Sequence, residues 1–396
     1  MTDTKVRIIS ESKEFESLSG VWDSLLQNSG GDNPIYLTHE WLSTWWKHFG
    51  EGKRLNVLVV EKGRQIIGAF PLMITEYRIG ALKMRTLENI GSVNSNHIGI
   101  MSNENEREAL FAFLKYLSEE LGRSNLILRL TFVPDDSKVL DLLRRYVSEF
   151  SGKLVIKEKV TTLAPYISLP ETWNQLFRSL SGKRRWVLTK KLRSLEKEHA
   201  VEFQECTPDI LEDKLGQFFD LHQKRWQSVN INGIFTDAKA KEFYRDISRQ
   251  FLKKKWLHFS WLNVDGEMAS AEYCFVYNGK LYAATAARDL RYSQYSIGHL
   301  HYMFLAKEAI NRHLHEFDFL KGDEPYKFYW TKSARKYIEI LMVKKGVFSE
   351  LRIQFLQRFL HIYWISRYSL REAYSLYLLK RKWNKEKKLM GMKAIN

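Results

Sequence analysis

Acidic and aromatic side chains are concentrated in one short segment of the sequence, residues 317–330. It reads Phe-Asp-Phe-Leu-Lys-Gly-Asp-Glu-Pro-Tyr-Lys-Phe-Tyr-Trp, an apolar strand that ends in a charged loop. A carboxyl group at a strand end, close to apolar rings, can have a raised pKa and act as a general base. Asp318 and Glu324 are the candidates for that role. The alternative is an ordinary solvated loop after a buried strand.

A second segment, residues 291–300, joins a predicted strand to a predicted helix. It reads Arg-Tyr-Ser-Gln-Tyr-Ser-Ile-Gly-His-Leu. The first turn of a helix offers unpaired backbone N–H groups and the positive end of the helix dipole, so it can bind a pyrophosphate. Gly298 would let such a ligand approach the backbone closely. A plain helix cap with an incidental glycine is the alternative.

Positive charge is unevenly distributed along the chain. Lys and Arg number 62 against 46 Asp and Glu, so the net charge is +16, which favours anionic partners. Residues 183–197 predict a basic helix that either faces solvent or holds a phosphate-bearing substrate. Residues 350–396 mix basic and aromatic side chains, which suits helices at a membrane interface or helices docked on a domain core.

Several classes of site are excluded by composition and spacing. The chain has only two cysteines, Cys206 and Cys274, which gives neither a disulfide framework nor a Cys-rich zinc site. The histidines do not cluster, and the pairs His299/His301 and His313/His315 are spaced by two, which places them on different faces of a helix, so we expect no metal. No nucleotide-binding fingerprint or nucleic-acid-binding motif occurs, and no specific nucleic acid partner is expected. With no visible signal peptide and no bilayer-long apolar stretch, we expect a cytoplasmic protein.

The elements that must position these residues are clearest in the middle of the chain. Alternating apolar residues predict a strand over 257–264, and two more strands follow over 268–277 and 281–287. Asp265-Gly266 and Asn278-Gly279 separate them, and both pairs accept the positive φ of tight hairpin turns. The sequence therefore predicts a three-stranded antiparallel meander.

Helices flank this meander in the predicted order. Apolar residues three or four apart predict a helix over 300–314, and a short buried strand follows over 316–320. Thr207-Pro208 predicts the start of the helix that precedes the meander. The first half shows a weaker version of the same order, with helices over 41–49 and 106–121. In that half, a hairpin of 55–60 with 65–73 and a strand over 126–132 complete the pattern, which predicts a mixed α/β fold with flanking helices.

Short segments between residues 35 and 340 occur in the order found in one known family. They are His39-Glu40-Trp41, residues 45–50, Gly68-Ala69-Phe70-Pro71-Leu72, Lys183-Arg184-Arg185, Leu221-His222, Arg225-Trp226, Gly233-Ile234-Phe235, Ser296-Ile297-Gly298 and residues 318–327. On these segments the chain resembles the CelD/BcsL-type acetyltransferases, named for cellulose biosynthesis. That family belongs to the GCN5-related N-acetyltransferase (GNAT) superfamily and is related to FemAB-like aminoacyl transferases.

The resemblance implies two GNAT-like domains in tandem. Residues 1–170 would form a degenerate domain, residues 171–346 the catalytic domain and residues 347–396 a basic, aromatic helical tail. The donor, acetyl-CoA or another acyl-CoA, would bind where the strand ending near Ala287 separates from the strand ending near Leu320. Its pyrophosphate would lie on Tyr295, Ser296, Ile297, Gly298, His299 and Leu300. The usual phosphate loop has more glycines than the single Gly298, so the identity of the donor stays open.

The resemblance also implies roles for individual side chains. Glu324 or Asp318 would accept the proton of the attacking amine, and Lys327 would hold the donor phosphates or the acceptor. The expected substrate-binding residues are Arg185, Arg225, Trp226 and Tyr326.

The implied activity is transfer of an acyl group to an amine of a glycan or sugar-nucleotide precursor in polysaccharide or cell-envelope biosynthesis. Two alternatives remain at this point: an aminoacyl transferase that uses aminoacyl-tRNA, and a non-catalytic, membrane-associated module of a polysaccharide-synthesis assembly. Residues 350–396 would contact a membrane surface or an envelope-biosynthesis partner, and the protein would then lie peripherally on the inner face of the membrane.

Overall fold

A computed structural model describes residues 4–28, 34–91, 101–102, 105–150 and 152–389 of the 396-residue chain. The strands are β1 (Thr4–Ile9), β2 (Arg54–Leu55), β3 (Val57–Lys62), β4 (Gln65–Phe70), β5 (Leu72–Ile79), β6 (Leu82–Asn89), β7 (Met101–Ser102), β8 (Ile127–Pro134), β9 (Leu154–Ser168), β10 (Val201–Glu205), β11 (Leu257–Val264), β12 (Glu267–Tyr277), β13 (Lys280–Arg288), β14 (Glu316–Asp318) and β15 (Ala334–Lys344). The α-helices are α1 (Ser12–Ser17), α2 (Ser19–Asn28), α3 (His39–Phe49), α4 (Glu106–Arg123), α5 (Lys138–Val147), α6 (Trp173–Ser179), α7 (Gly182–Glu198), α8 (Leu211–Gln227), α9 (Ala238–Lys253), α10 (Ile297–Asn311), α11 (Ser349–Ile365) and α12 (Leu370–Leu389).

Two compact units divide the chain. Unit 1 comprises Met1–Thr162 and Arg335–Ser369, and unit 2 comprises Leu163–Ala334 and Leu370–Asn396. The long strand β9 therefore begins in unit 1 and ends in unit 2, while helix α11 belongs to unit 1 and helix α12 to unit 2. The domain boundaries at residues 170 and 346 stay a prediction.

Unit 1 combines two groups of strands with helices. One sheet has the order β1-β3-β4-β7, and the first part of β9 begins a second series, β9-β15-β8-β6-β5-β2. Strands β6 and β8 pair in parallel, which requires a crossover connection, and α4 lies in that connection. The inner face of α4 is buried at helical spacing, at Leu110, Phe113, Leu114, Leu117 and Leu121. These side chains belong to the main core of the unit.

Unit 2 contains the predicted meander. Its strands have the order β10-β11-β12-β13-β14, followed by the last residues of β9, and β10 to β13 pair in antiparallel fashion. Both predicted hairpin turns are present, and all four of their residues, Asp265, Gly266, Asn278 and Gly279, have positive φ. Helix α10 then crosses back so that β14 pairs with β13 in parallel. The predicted mixed α/β fold is confirmed.

Several predicted boundaries differ from the structure in detail. Thr207-Pro208 does not begin helix α8, which starts at Leu211, because the Thr207 carbonyl closes a turn by accepting from the Ile210 N–H at 3.3 Å. The strand predicted over 316–320 ends at Asp318, because Leu320 has a φ of 57° and leaves the sheet. The second strand of the first hairpin ends at Phe70, and Leu72 begins the next strand.

A buried ionic network lies in unit 1 where β6, β8 and β15 are neighbours. Arg129 on β8 donates a hydrogen bond from Nε to Glu339 Oε1 at 2.8 Å. Its Nη1 atom lies 3.4 Å from Glu88 Oε2. The Tyr77 hydroxyl also donates to Glu88, at 2.9 Å from Oε1, and the Glu88 side chain is almost fully buried. Removing one partner of such a network leaves a desolvated charge without compensation.

Replacing Arg129 tests how much this network stabilises the unit. We expect Arg129→Met to lower the free energy of unfolding by about 3–5 kcal/mol, because the Glu88 carboxylate loses its cation. Urea unfolding followed by circular dichroism measures the change. Arg123→Met is the control, since that side chain is 76% exposed and pairs with Glu119 at 3.8 Å. If the two substitutions lower the free energy of unfolding equally, the buried network contributes no more to stability than an exposed ion pair.

Candidate active site

The two parallel strands of unit 2 separate early. Strand β13 pairs with β14 only from Lys280 to Tyr282, yet β13 continues to Arg288. On its other side, the register of β13 against β12 shifts beside Cys274, a β-bulge that leaves Ala284 as the extra residue. The carboxyl end of β13 therefore has no β14 partner beyond Tyr282. Such an opening beside the carboxyl end of a strand is a common ligand position in α/β folds.

Helix α10 begins beside this opening with an unusual turn. Its N-cap residue Ser296 is left-handed, with φ 55° and ψ 45°, and its side chain makes no capping hydrogen bond. The Ser296 carbonyl instead accepts from the N–H groups of His299 at 2.8 Å and Leu300 at 3.2 Å. The first N–H groups of a helix have no partner within it. Ile297 and Gly298 therefore offer backbone donors of the kind that bind phosphate.

The other residues predicted to bind the acyl donor hold this turn in place. Leu300 is fully buried in the core of the unit, and Tyr295 is nearly so, with its hydroxyl donating to Glu198 at 2.5 Å. His299 accepts from Trp330 Nε1 on Nδ1 at 3.2 Å, and its ring packs on Tyr329 with centroids 4.3 Å apart. Burial, together with the charge of Arg288, lowers the pKa of His299 to about 4. The imidazole is therefore neutral at neutral pH.

Cationic side chains surround the start of α10. A Cβ atom on Gly298 would lie 2.9 Å from Arg288 Nη1, so a guanidinium lies directly against the first turn. Lys191 of the basic helix α7 donates to the Gln294 carbonyl in the preceding loop. Burial lowers the pKa of Arg225 on α8, and the positive charge of Arg288 lowers it further. The two guanidinium groups therefore repel each other. An anion bound here would relieve that repulsion.

The loop after β14 is held by one lysine. Lys327 Nζ donates to the carbonyls of Lys321 at 2.7 Å and Gly322 at 3.3 Å, and lies 2.9 Å from Glu324 Oε2. The Glu324 carboxylate covers Gly322, whose φ of 117° and lack of Cβ permit that contact. Asp318 is fully buried and accepts from the Leu320 N–H at 2.6 Å. The structure thus brings the three predicted catalytic residues together, in contacts that fix the loop.

A buried carboxyl group that sequence reasoning missed lies nearer the centre of the sheet. Glu272 on β12 is 2% exposed and faces Ala286 across the pairing with β13, and the Tyr302 hydroxyl of α10 lies near enough to influence its pKa. Burial raises its pKa well above the ordinary value, partly opposed by the charge of Arg288. The one visible signal was a lone glutamate inside the apolar strand 268–277.

Tyr302 connects this carboxyl group to the loop after β14. Its ring lies parallel to that of Tyr326, with centroids 6.0 Å apart, and each phenol influences the pKa of the other. Burial raises the pKa of both phenols, so both are protonated at neutral pH. Glu272, Tyr302 and the predicted residue Tyr326 are therefore three neighbouring groups that can each carry a proton.

The remaining predicted substrate residues lie in different places. Arg185 donates from Nη1 to the carbonyls of Arg178 at 3.0 Å and Leu180 at 2.6 Å, so its guanidinium closes the end of α6. Trp226 is half-buried on α8, beside Arg225, and its Nε1 donates to His222 Nε2 at 3.0 Å. Their roles in binding stay predictions.

The described side chains and helices also bear on metal binding and on crossing a membrane. Within the described residues, no group of three or more His, Cys, Asp or Glu side chains is placed to hold a metal ion. None of the described helices combines the length and the apolar character needed to cross a bilayer.

Comparisons with known proteins concern the fold of the chain and a domain within unit 2. Residues 182–328 match the family model described as an acetyltransferase (GNAT) domain. None of the curated proteins compared matches the chain significantly. The solved structure of FemX is similar with a TM-score of 0.56 and 10% identity, covering 85% of this chain and 96% of that one. A conserved protein of unknown function from Bacteroides thetaiotaomicron has a TM-score of 0.51 and 13% identity, covering 87% and 100%.

The family match covers the part of unit 2 that carries the opening, helix α10 and the loop held by Lys327. The finer assignment to CelD/BcsL-type enzymes stays a prediction. The match of residues 182–328 to an acetyltransferase (GNAT) domain supports an N-acyltransferase.

Proposed function

We propose that unit 2 binds an acyl-CoA at the first turn of α10 and transfers its acyl group to an amine. The observation that carries this proposal is the helix start at the opening beside β13, where Ile297 and Gly298 present backbone N–H groups. GNAT folds generally use acyl-CoA. Coenzyme A carries a diphosphate and a further phosphate, which suit a helix N-terminus surrounded by cations.

The residues present fit such a donor. Gly298 has no Cβ, and the Arg288 guanidinium lies against the position that this atom would take, so a cation is held directly on the first turn. Lys191 and Arg225 add positive charge on either side. Bound acyl-CoA would supply an acyl thioester that an amine can attack. The protein's own contribution is to hold the phosphates, place the amine and accept its proton.

We assign to Glu272 the role of accepting the proton of the attacking amine. Its raised pKa brings the carboxylate closer to the range in which a general base is effective at neutral pH. Because it is buried, Glu272 would receive the proton through the hydroxyl groups of Tyr326 and Tyr302. Asp318 and Glu324 are less suited, since the first holds the Leu320 N–H and the second is paired with Lys327.

For the acceptor, we propose an amine of a glycan or sugar-nucleotide precursor in polysaccharide or cell-envelope biosynthesis. Trp226 supports this choice, because its indole is fixed by the hydrogen bond to His222 and is half-exposed. Indole rings bind sugar rings by stacking, and the neighbouring Arg225 would favour an anionic sugar nucleotide.

Donor binding can be tested with the full chain and acetyl-CoA by titration calorimetry. We expect binding by the unaltered protein and a Kd raised about three- to tenfold in Lys191→Gln, which loses a charge near the phosphates. Lys190→Gln is the matched control, because the Lys190 Nζ lies over the Trp186 ring at 4.8 Å, on an exposed part of the same helix. No binding by the unaltered protein, or equal weakening in both variants, would exclude this donor site.

A stability measurement tests the state of Glu272. The folded protein holds the Glu272 proton more tightly than the unfolded chain, so its stability falls as pH rises above the ordinary value of 4.5 toward the raised one. Glu272→Gln cannot titrate. Its melting temperature should therefore increase relative to the unaltered protein between about pH 5 and about pH 8. Glu267→Gln, an exposed position on the same strand, should show no such relative gain.

Catalysis by Glu272 needs its own assay. With acetyl-CoA and an amino sugar such as glucosamine or its nucleotide-linked form, release of free CoA thiol reports transfer. We expect Glu272→Gln to lower the rate by about 10²- to 10⁴-fold while acetyl-CoA binding is retained. An unchanged rate in this variant, with a lost rate in Glu324→Gln, would return the role of base to Glu324.

A further inference from the structure

Helix α11 of unit 1 is apolar on two opposite faces. Its inner face, at Ile353, Leu356, Phe359 and Leu360, is buried in a core cluster of the unit. The opposite face carries four exposed large apolar side chains at helical spacing, Leu351, Phe355, Ile362 and Ile365. A surface helix of a globular protein ordinarily has a polar outer face. We therefore expect another molecule to cover the outer face of α11.

The apolar surface continues into the loop before the helix. Val347 is 94% exposed and Phe348 is 65% exposed, which is rare for such side chains. We call the six residues Val347, Phe348, Leu351, Phe355, Ile362 and Ile365 the α11 stripe. Singly scattered apolar side chains need no explanation, whereas several on one face of a helix indicate an interaction site.

Basic side chains accompany the α11 stripe. Between residues 344 and 369 the chain has five Lys or Arg residues and one acidic residue, Glu350. Glu350 is paired with Lys157, so its charge is balanced. Lys344 and Lys345 are exposed beside Val347, and Arg358 is exposed within the stripe itself. A hollow of about 220 Å³ lies at this end of the helix, lined among others by Lys344, Lys345 and Arg352 together with Val347 and Phe348.

We propose that the α11 stripe docks this protein on an anionic lipid surface. Exposed apolar side chains would enter the region between headgroups and acyl chains, while the flanking lysines and arginines would contact the anionic headgroups. The hollow beside Val347 would accommodate a headgroup phosphate. With 17 residues, α11 is roughly 25 Å long and would lie in the plane of the interface.

Charge favours a lipid surface over another protein or a second copy of this chain. Lysines are depleted in the centres of protein interfaces, but here Lys344 and Lys345 adjoin the most exposed apolar residues. Two copies meeting face to face would also bring their basic side chains together. An anionic bilayer instead complements the net charge of +16. The proposal does not depend on the donor site or on the identity of the acceptor.

Vesicle co-sedimentation of the full chain tests this surface. We expect binding to vesicles of phosphatidylcholine with phosphatidylglycerol and at least about tenfold weaker binding to phosphatidylcholine alone. Leu351→Glu and Phe355→Glu should each lower binding to the anionic vesicles by about tenfold or more, because each places a charge in the apolar row. Phe355→Leu should bind like the unaltered protein. Val21→Glu, at a 40% exposed position on α2, is the control for adding an acidic residue elsewhere.

Each other outcome overturns the proposal. If Leu351→Glu and Phe355→Glu bind anionic vesicles as well as Val21→Glu does, the attraction is one of charge alone. If the protein binds vesicles of phosphatidylcholine alone as strongly as the anionic vesicles, the anionic headgroups do not contribute to binding. If no vesicle is bound and Leu351→Glu abolishes a concentration-dependent dimer, the occupant is a second copy. Circular dichroism confirms that the variants are folded, which we expect because the altered side chains point away from the core.

Discussion

The early end of the pairing between β13 and β14 is the constraint on which the rest of unit 2 depends. Two local features produce it. The β-bulge opposite Cys274 changes the course of β13, and the left-handed Leu320 turns the chain out of the sheet soon after Asp318. Had the two strands paired along their full length, backbone hydrogen bonds would have filled the space beside Ala283 and Thr285. The separation instead leaves β13 beyond Tyr282 without a β14 partner, close to the first turn of α10.

Charged and polar groups around this opening are divided by depth. Near the surface, Arg288, Arg225 and Lys191 supply positive charge where phosphates would lie. Deeper in the sheet, Glu272 is isolated from water, and Tyr302 connects it to the loop held by Lys327. Burying a carboxyl group costs free energy, and the charge of Arg288 offsets only part of that cost at Glu272. The role in proton transfer that we propose would give this buried group a function.

Local sequence signals predicted much of this arrangement, and tertiary contacts determined the rest. The Asp-Gly and Asn-Gly turns and the periodicity of α10 are local, so the meander and its crossover helix could be predicted closely. Glu272 could not be identified, because its burial and raised pKa arise from α10 and β13 packing over it. Lys327 was assigned to phosphate or acceptor, but its ammonium group is engaged by loop carbonyls that no spacing rule reveals. The network around Arg129 joins residues 210 positions apart, beyond the range of any local pattern.

The central claim is that the first turn of α10 holds the donor phosphates, and a crystal structure of the full chain with bound CoA tests it most directly. We expect diphosphate oxygens about 3 Å from the backbone nitrogens of Ile297 and Gly298, with the Arg288 guanidinium in contact. The pantetheine arm would run into the opening beside β13. Phosphates bound elsewhere on the chain, with the first turn of α10 untouched, would contradict it.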